Sequence, residues 1–151
     1  MTSKYPTIII GGGQAGLATS YHLKQRDQEH IVLEQATQAA NAWRNDRWDS
    51  FALNTPNWTF KLPGAEYQGD APDGFMRREV IVATFERYVQ RYQLPVQYGT
   101  RVNAVEALAN GDGYRVKTDD EVLEARKVVV ATGLYQRPKI PAFRTDRKSV
   151  V

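Results

Sequence analysis

Apolar runs and helical stripes alternate along most of this 151-residue chain, and the pattern predicts an α/β fold. Three isoleucines ending at Ile10 are followed by a glycine-rich turn and then by helix-forming residues 17–23. Residues 30–34 form a second apolar run, and the segment from Glu79 to Arg91 places its apolar side chains on one helical face. This order of strand, helix and strand predicts a parallel sheet covered by helices.

Shorter alternating runs follow the second predicted helix. They predict strands at residues 94–98, 100–107, 114–118, 122–125 and 127–133. Turn-forming residues at 110–113 and 119–121 separate the middle strands. The last run is apolar and ends in glycine, as a central strand of a parallel sheet would. The whole pattern therefore predicts a doubly wound sheet with an inserted antiparallel β-meander.

Residues 35–78 show no sustained period of 2 or 3.6 and are predicted to form a long loop. A loop of this length inside one domain is usually functional or disordered. Its density of aromatic residues argues against disorder. The aromatic side chains of the loop are interpreted either as its own core or as a wall over a bound cofactor; they are Trp43, Trp48, Phe51, Trp58 and Phe60.

The turn after the first strand carries the pattern of a dinucleotide-binding motif. Gly11, Gly13 and Gly16 are spaced as G-x-G-x-x-G between a strand and a helix, with Gln14 and Ala15 inside the turn. In such a turn the glycines allow a tight bend, a close approach of pyrophosphate and close packing of helix on strand. Glu34 ends the second apolar run, where a carboxylate would accept hydrogen bonds from a ribose. Its charge favours FAD or NAD over NADP.

Composition narrows the function further. The chain has no cysteine, which excludes disulfides, a thiolate nucleophile and a redox-active dithiol, so electrons would pass through a cofactor alone. The net charge of +3 is small and scattered, which argues against a nucleic-acid partner. The sequence shows no signal-peptide pattern, no apolar run near the ~20 residues of a membrane span and no metal-ligand cluster. We therefore expect a cytoplasmic protein with no membrane partner and no bound metal.

Several short motifs together resemble the N-terminal half of the flavin-containing monooxygenases. They are GGGQAGLATSYHL at 11–23, the Glu34 strand, Trp43-Arg44, Arg47-Trp48-Asp49, Leu53-Asn-Thr-Pro56, Leu62-Pro-Gly64, and Val130-Ala-Thr-Gly133 followed by Pro138 and Pro141. The resemblance covers roughly residues 5–143. It implies a Rossmann-like FAD-binding domain over residues 1–143, which would be the incomplete N-terminal half of a longer enzyme.

The resemblance also implies roles for individual residues. Gly11, Gly13, Gly16 and Glu34 would hold the FAD pyrophosphate and adenosine ribose, together with Gln14 and Ala15 of the turn. Further implied FAD contacts are Gln35, Trp43, Arg44, the backbone of Val102 bracketing the adenine, and Ala131, Thr132 and Gly133 closing the back of the pocket.

Asn54 would lie near the flavin ring and help hold the oxygenated flavin, as the one implied catalytic residue. From the residues alone, Asn54-Thr-Pro56 is equally a turn sequence. Arg44 could likewise form a surface pair with Asp46 or Asp49. His22 and His30 are interpreted as a helix-face residue and a surface residue before the strand, and neither is assigned to catalysis.

The implied reaction is oxygenation of a small organic substrate by molecular oxygen. In the family, NADPH reduces the flavin and oxygen adds to form a C4a-hydroperoxide, which must be shielded from water. No second glycine motif for NADPH follows in this sequence, so we expect the isolated fragment to be inactive. Residues 144–151 are interpreted as a non-native tail, since 146–151 resemble a translated sequencing adapter.

Three other interpretations stay open. A two-domain FAD/NAD(P)H reductase would share the glycines, Glu34 and the Ala131-Thr-Gly133 segment. A non-enzymatic FAD-binding module is the second alternative. A dehydrogenase with a single NAD domain is the third, although the aromatic loop at 35–78 argues against the continuous strand-helix-strand that it needs.

Overall fold

The computed structural model describes residues 3–109 and 111–133. Its elements, in chain order, are β1 (Ser3–Ile10), α1 (Gln14–Lys24), β2 (Ile31–Leu33), α2 (Asn41–Asn45), α3 (Arg78–Tyr92), β3 (Val96–Gln97), β4 (Val102–Ala107), β5 (Tyr114–Thr118) and β6 (Val122–Val130), with one turn of 3-10 helix at Asn57–Thr59. Residues 134–143 of the predicted FAD domain and the predicted tail at 144–151 lie outside the described residues.

The six described strands form one sheet in the order β3-β2-β1-β6-β5-β4. β1 pairs in parallel with both β2 and β6, and β2 pairs in parallel with β3. β5 pairs antiparallel with β4 and with β6. This arrangement confirms the predicted α/β class, a parallel sheet with an inserted antiparallel meander.

Two buried clusters cover the two faces of the sheet. The helix-side core combines side chains of α1, α3 and the long loop; it contains Leu17, Ala40, Phe60, Leu62, Met76, Ile81, Val82, Phe85, Tyr88 and Leu94. The meander-side core joins the parallel strands to β5 and β6; it contains Ile8, Ile10, Ile31, Leu33, Val116, Leu123 and Ala125. Ile8 and Ile10 belong to the second cluster, and alternation along β1 turns Ile9 to the opposite face. The parallel strands are therefore packed on both faces, which explains their continuous apolar runs.

The predicted strands at 122–125 and 127–133 form one strand, β6, which ends at Val130, so the predicted break between them and the predicted end at 133 were wrong. β6 pairs in parallel with β1 on both sides of Arg126, from Ser3 opposite Leu123 to Ile10 opposite Val130. β5 pairs only with residues 122–125 of the same strand. The two positively charged residues Arg126 and Lys127 are exposed, because they follow the point where the pairing with β5 ends. The parallel pairing with β1 thus carries the strand past Arg126, the one residue that the predicted break contained.

The long loop after β2 is ordered by antiparallel contacts between its two halves. Ala52 forms a β-bridge with Arg77, and the Leu53 amide donates to the carbonyl of Met76 at 2.9 Å. Trp43 and Phe51 pack against the helix-side core, and Phe60 is buried in it. The other two loop aromatics, Trp48 and Trp58, are mostly exposed. Packing on the helix-side core therefore accounts for three of the five aromatic side chains of the loop.

His30 is buried, so its interpretation as a surface residue was wrong. Its exposed fraction is 6%, and its ring bridges α1 to the start of β2. Nδ1 lies 2.7 Å from the carbonyl oxygen of Gln28, and Nε2 lies 2.7 Å from Oγ of the fully buried Ser20. A carbonyl can only accept, so Nδ1 carries the proton and, in the neutral ring, Nε2 accepts from the Ser20 hydroxyl.

Replacing His30 with leucine is expected to lower the free energy of unfolding by about 2 kcal/mol, because it leaves the Ser20 hydroxyl and the Gln28 carbonyl without their partner. Urea denaturation would measure the loss. His22→Leu is the matched control, because His22 is exposed on α1 and should change stability by less than about 0.5 kcal/mol. Equal losses for the two variants would contradict a structural role of the buried ring.

Candidate cofactor-binding site

The carboxyl ends of three parallel strands meet at one edge of the sheet. Ile10 is the register partner of both Leu33 and Val130. The residues that follow these positions are Gly11, Glu34 and Ala131, so the fold brings three candidate residues from distant parts of the sequence to the same edge. In open α/β sheets, ligands bind at this edge.

Backbone contacts at this edge explain two of the three motif glycines. Gly11 has φ +107°, and a Cβ there would collide with the carbonyl of Ala131, whose carbon would lie 2.9 Å away. A Cβ on Gly16 would collide with the carbonyl oxygen of Gly11. The amides of Gly11 and Ala131 donate to Leu33 and Ile10, at 2.9 and 2.8 Å. The turn is therefore built by backbone packing that side chains would break.

Gly13 differs from the other two. Its backbone is extended, with φ −80° and ψ −170°, which any residue adopts, and a Cβ would meet no atom within 4 Å. It stands at the N-cap of α1, where no side chain caps the helix and the first turn contains no acidic residue. The first amides of such a helix have no intrahelical partner and favour an anion. The open space at Gly13 thus fits the approach of a pyrophosphate to the helix.

Glu34 is held by two backbone amides. The Gly12 amide donates to Oε2 at 2.6 Å, and the Ala36 amide donates to Oε1 at 2.8 Å. Each carboxylate oxygen keeps a second lone pair with which it can accept another hydrogen bond. The carboxylate is therefore already oriented beside the glycine turn, where it can accept from ribose hydroxyls.

The structure places the other candidate residues in several parts of the fold. Gln14 donates from Nε2 to the carbonyl of Lys61 at 3.4 Å and so joins the turn to the long loop. Ala15 and Gln35 are exposed, and Val102 packs its side chain against the meander-side core. Thr132 and Gly133 are exposed beyond the end of β6. Asn54 is exposed on the long loop, and no side-chain hydrogen bond in the described part of the chain joins it to the turn or to Glu34.

Trp43 and Arg44 are placed by α2. The Trp43 ring lies 6.5 Å from that of Phe85 and 5.7 Å from that of Phe51, between centroids. Arg44 donates from Nη2 to Oε1 of Glu86 on α3 at 2.6 Å, so its predicted surface pair with Asp46 or Asp49 was wrong. Its Nε is buried and has no hydrogen-bond partner among the described residues. Glu86 was missed because a pairing over 42 positions leaves no local signal in the sequence.

Among the described residues, no group of three His, Asp or Glu side chains is placed to hold a metal ion. In the same part of the chain, no helix has the length and apolar character needed to cross a membrane.

The parallel strand-helix-strand unit, the uncapped helix and the acidic residue after β2 are typical of the α/β domains that bind dinucleotides. Sequence comparison agrees over residues 8–151, which match the profile of the pyridine nucleotide-disulphide oxidoreductases. The chain belongs to this family.

Similar proteins include oxidoreductases and monooxygenases. The chain is 37% identical over 142 residues to the uncharacterized oxidoreductase CzcO of Bacillus subtilis, covering 94% of this chain and 40% of that protein. It is 32% identical to the indole-3-pyruvate monooxygenase YUCCA1 of Oryza sativa, covering 90% of this chain and 34% of the relative. The chain thus spans about two fifths of the length of CzcO.

Solved structures give the same fold. The flavin-containing monooxygenase from Stenotrophomonas maltophilia superposes with a TM-score of 0.82 at 30% identity, over 93% of this chain and 42% of that one. The bacillithiol disulfide reductase Bdr from Bacillus cereus superposes with a TM-score of 0.82 at 25% identity, over 91% of this chain and 42% of the reductase chain. The similarity to the Stenotrophomonas maltophilia structure bears out the predicted resemblance to the FAD-binding part of a flavin-containing monooxygenase.

Proposed function

We propose that the chain is the FAD-binding N-terminal part of a flavin-dependent, NADPH-using monooxygenase that oxygenates a small organic substrate with molecular oxygen. The observation that carries this proposal is the open, uncapped N-terminus of α1 beside the preset carboxylate of Glu34. The similar monooxygenases support the reaction class. NADPH would bind to a further part of the proposed full-length enzyme, which corresponds to the part of the longer relatives that this chain does not span.

The residues present fit FAD. The amides at Gly13, Gln14 and Ala15 would receive the pyrophosphate, and Glu34 would accept from the adenosine ribose. FAD, when bound, would supply the acceptance of a hydride and the activation of oxygen. We propose the remaining contacts as the resemblance implies them: Gly11, Gly16, Gln35, Trp43, Arg44, Val102, Ala131, Thr132 and Gly133.

We propose Asn54 as the catalytic residue that lies near the flavin ring and donates a hydrogen bond there. Its loop is tied to the glycine turn through Gln14 and the carbonyl of Lys61. Its exposed amide has donor and acceptor atoms available for that role. A preset donor of this kind stabilises charge better than water does, because it needs no reorganisation.

A disulfide reductase is the second candidate. The family description and the similarity to the Bacillus cereus reductase favour it. The chain itself contains no cysteine, so a reactive dithiol would have to come from elsewhere in a longer protein. Substrate-dependent oxygen uptake by the full-length protein would support the monooxygenase, and NADPH-dependent reduction of a disulfide would support the reductase.

We expect the purified chain to bind FAD and ADP, and to bind FMN at least tenfold more weakly than FAD, because FMN lacks the adenosine half that Glu34 contacts. Titration followed by flavin fluorescence and calorimetry would measure the affinities. The chain alone should not couple NADPH oxidation to product formation. Absence of FAD and ADP binding, or turnover by the isolated chain, would contradict the proposal.

A further inference from the structure

Tyr98 lies beside Glu34 where β2 and β3 end. Leu33 is the register partner of Gln97, so the next residues on the two strands are Glu34 and Tyr98. Backbone hydrogen bonds lock the two segments together: the Glu34 amide donates to Gln97, the Gly99 amide to Ala36 and the Thr100 amide to Glu34, at 2.9–3.0 Å. The position of the Tyr98 backbone next to Glu34 is thus fixed by the fold.

The position of Tyr98 predicts that its side chain faces the helix side of the sheet. Val96 packs against the helix-side core, and Tyr98 follows two positions later, directly after the end of β3. Burial raises the pKa of the Tyr98 phenol, and the carboxylates of Glu34 and Glu86 raise it further. These neighbours agree with a ring between the end of β2 and α3. The phenol therefore stays protonated and remains a hydrogen-bond donor.

The Tyr98 hydroxyl has no hydrogen-bond partner in the described part of the chain, although the side chain is half-buried. Glu34 next to it is an acceptor only, and it already has two amide donors. Ribose hydroxyls both donate and accept. A carboxylate alone would accept hydrogen bonds from these hydroxyls and leave their oxygens without a donor, and a neighbouring phenol can supply that donor.

We propose that Tyr98 is a further binding residue of the adenosine subsite, whose hydroxyl donates to a ribose oxygen while Glu34 accepts from the ribose hydroxyls. The proposal rests on the proposed dinucleotide site and deepens it. The carboxylate and phenol form a matched acceptor and donor pair on adjacent strands. If Tyr98 only packed between β3 and α3, its ring would be needed but its hydroxyl would not.

The test compares ADP, 2′-deoxy-ADP and 3′-deoxy-ADP on the wild-type chain and on Tyr98→Phe, by titration calorimetry. Tyr98→Phe keeps the ring and should fold normally. We expect it to weaken ADP binding about fivefold to tenfold, the loss for one hydrogen bond. With the deoxy nucleotide that lacks the accepting oxygen, the same variant should lose less than about twofold, because the interacting pair is already broken.

Tyr114→Phe is the matched control, because Tyr114 is an exposed tyrosine on β5 in the meander and should leave all three affinities unchanged. Unchanged ADP affinity in Tyr98→Phe would overturn the inference, and so would equal losses with all three nucleotides. If the wild-type chain bound neither ADP nor FAD, the proposed function would fail as well. These outcomes differ, so the two proposals can be judged separately.

Discussion

Replacing Gly16 with alanine is expected to lower the free energy of unfolding by about 3 kcal/mol and to abolish FAD binding. The added Cβ would collide with the carbonyl oxygen of Gly11 and lie 3.0 Å from its carbon. Both are backbone atoms of the turn, so no side-chain rotation can make room, and α1 must move away from β1. Overpacking of this kind costs about 1–3 kcal/mol and sometimes more. It outweighs the gain of about 1 kcal/mol that alanine brings inside a helix.

Gly13→Ala provides the matched control for this prediction. At Gly13 the backbone is extended and a Cβ meets no atom within 4 Å, so stability should change by less than about 0.5 kcal/mol. FAD affinity should still fall, because the methyl group enters the space in front of the helix amides. Urea denaturation and flavin titration would measure both quantities. Normal FAD binding in Gly13→Ala would contradict the placement of the pyrophosphate.

The first half of the site could be predicted from sequence because its signals are local. The glycine spacing, the preceding isoleucines and the apolar run before Glu34 lie within about one strand-helix-strand unit. The structure adds the reason why Gly11 and Gly16 must be glycines: a side chain there would collide with backbone atoms. It also shows that Gly13 has no such constraint. The register of Ile10 with Leu33 and Val130 explains why Ala131 meets this turn.

The parts that were missed depend on hydrogen-bond partners that the order of polar and apolar residues does not reveal. β6 continues past Arg126 because β1 pairs with it on both sides of that residue, up to Ala125 and again from Lys127. His30 is buried because Ser20 of α1 and the carbonyl of Gln28 satisfy its two ring nitrogens. No local pattern of polar and apolar residues encodes such partners. Tyr98 could have been noticed by counting strand register from Glu34, once the neighbouring strand was known.

Glu34→Gln is expected to lower the free energy of unfolding by about 2 kcal/mol and to weaken ADP and FAD binding by at least tenfold. The glutamine keeps the size of the side chain but replaces one acceptor oxygen with an NH₂ group. That group would face the amide of Gly12 or Ala36, and a partly buried donor would lose its partner. The remaining bond would also lose the strength that the ionised carboxylate gives it. For the ligand, one ribose hydroxyl would meet a donor in place of an acceptor.

Glu106→Gln is the control that separates this effect from loss of a charge in general. Glu106 accepts from Lys117 at an equally short 2.6 Å, but the pair lies on the exposed face of the meander. Exposed pairs contribute about 0–1 kcal/mol, because water competes for both partners. We therefore expect a small stability change and unchanged ADP affinity for Glu106→Gln. Equal losses in the two variants would mean that Glu34 contributes only its charge. A larger loss in Glu34→Gln would support the view that the fold orients this carboxylate, through two amides, before any nucleotide binds.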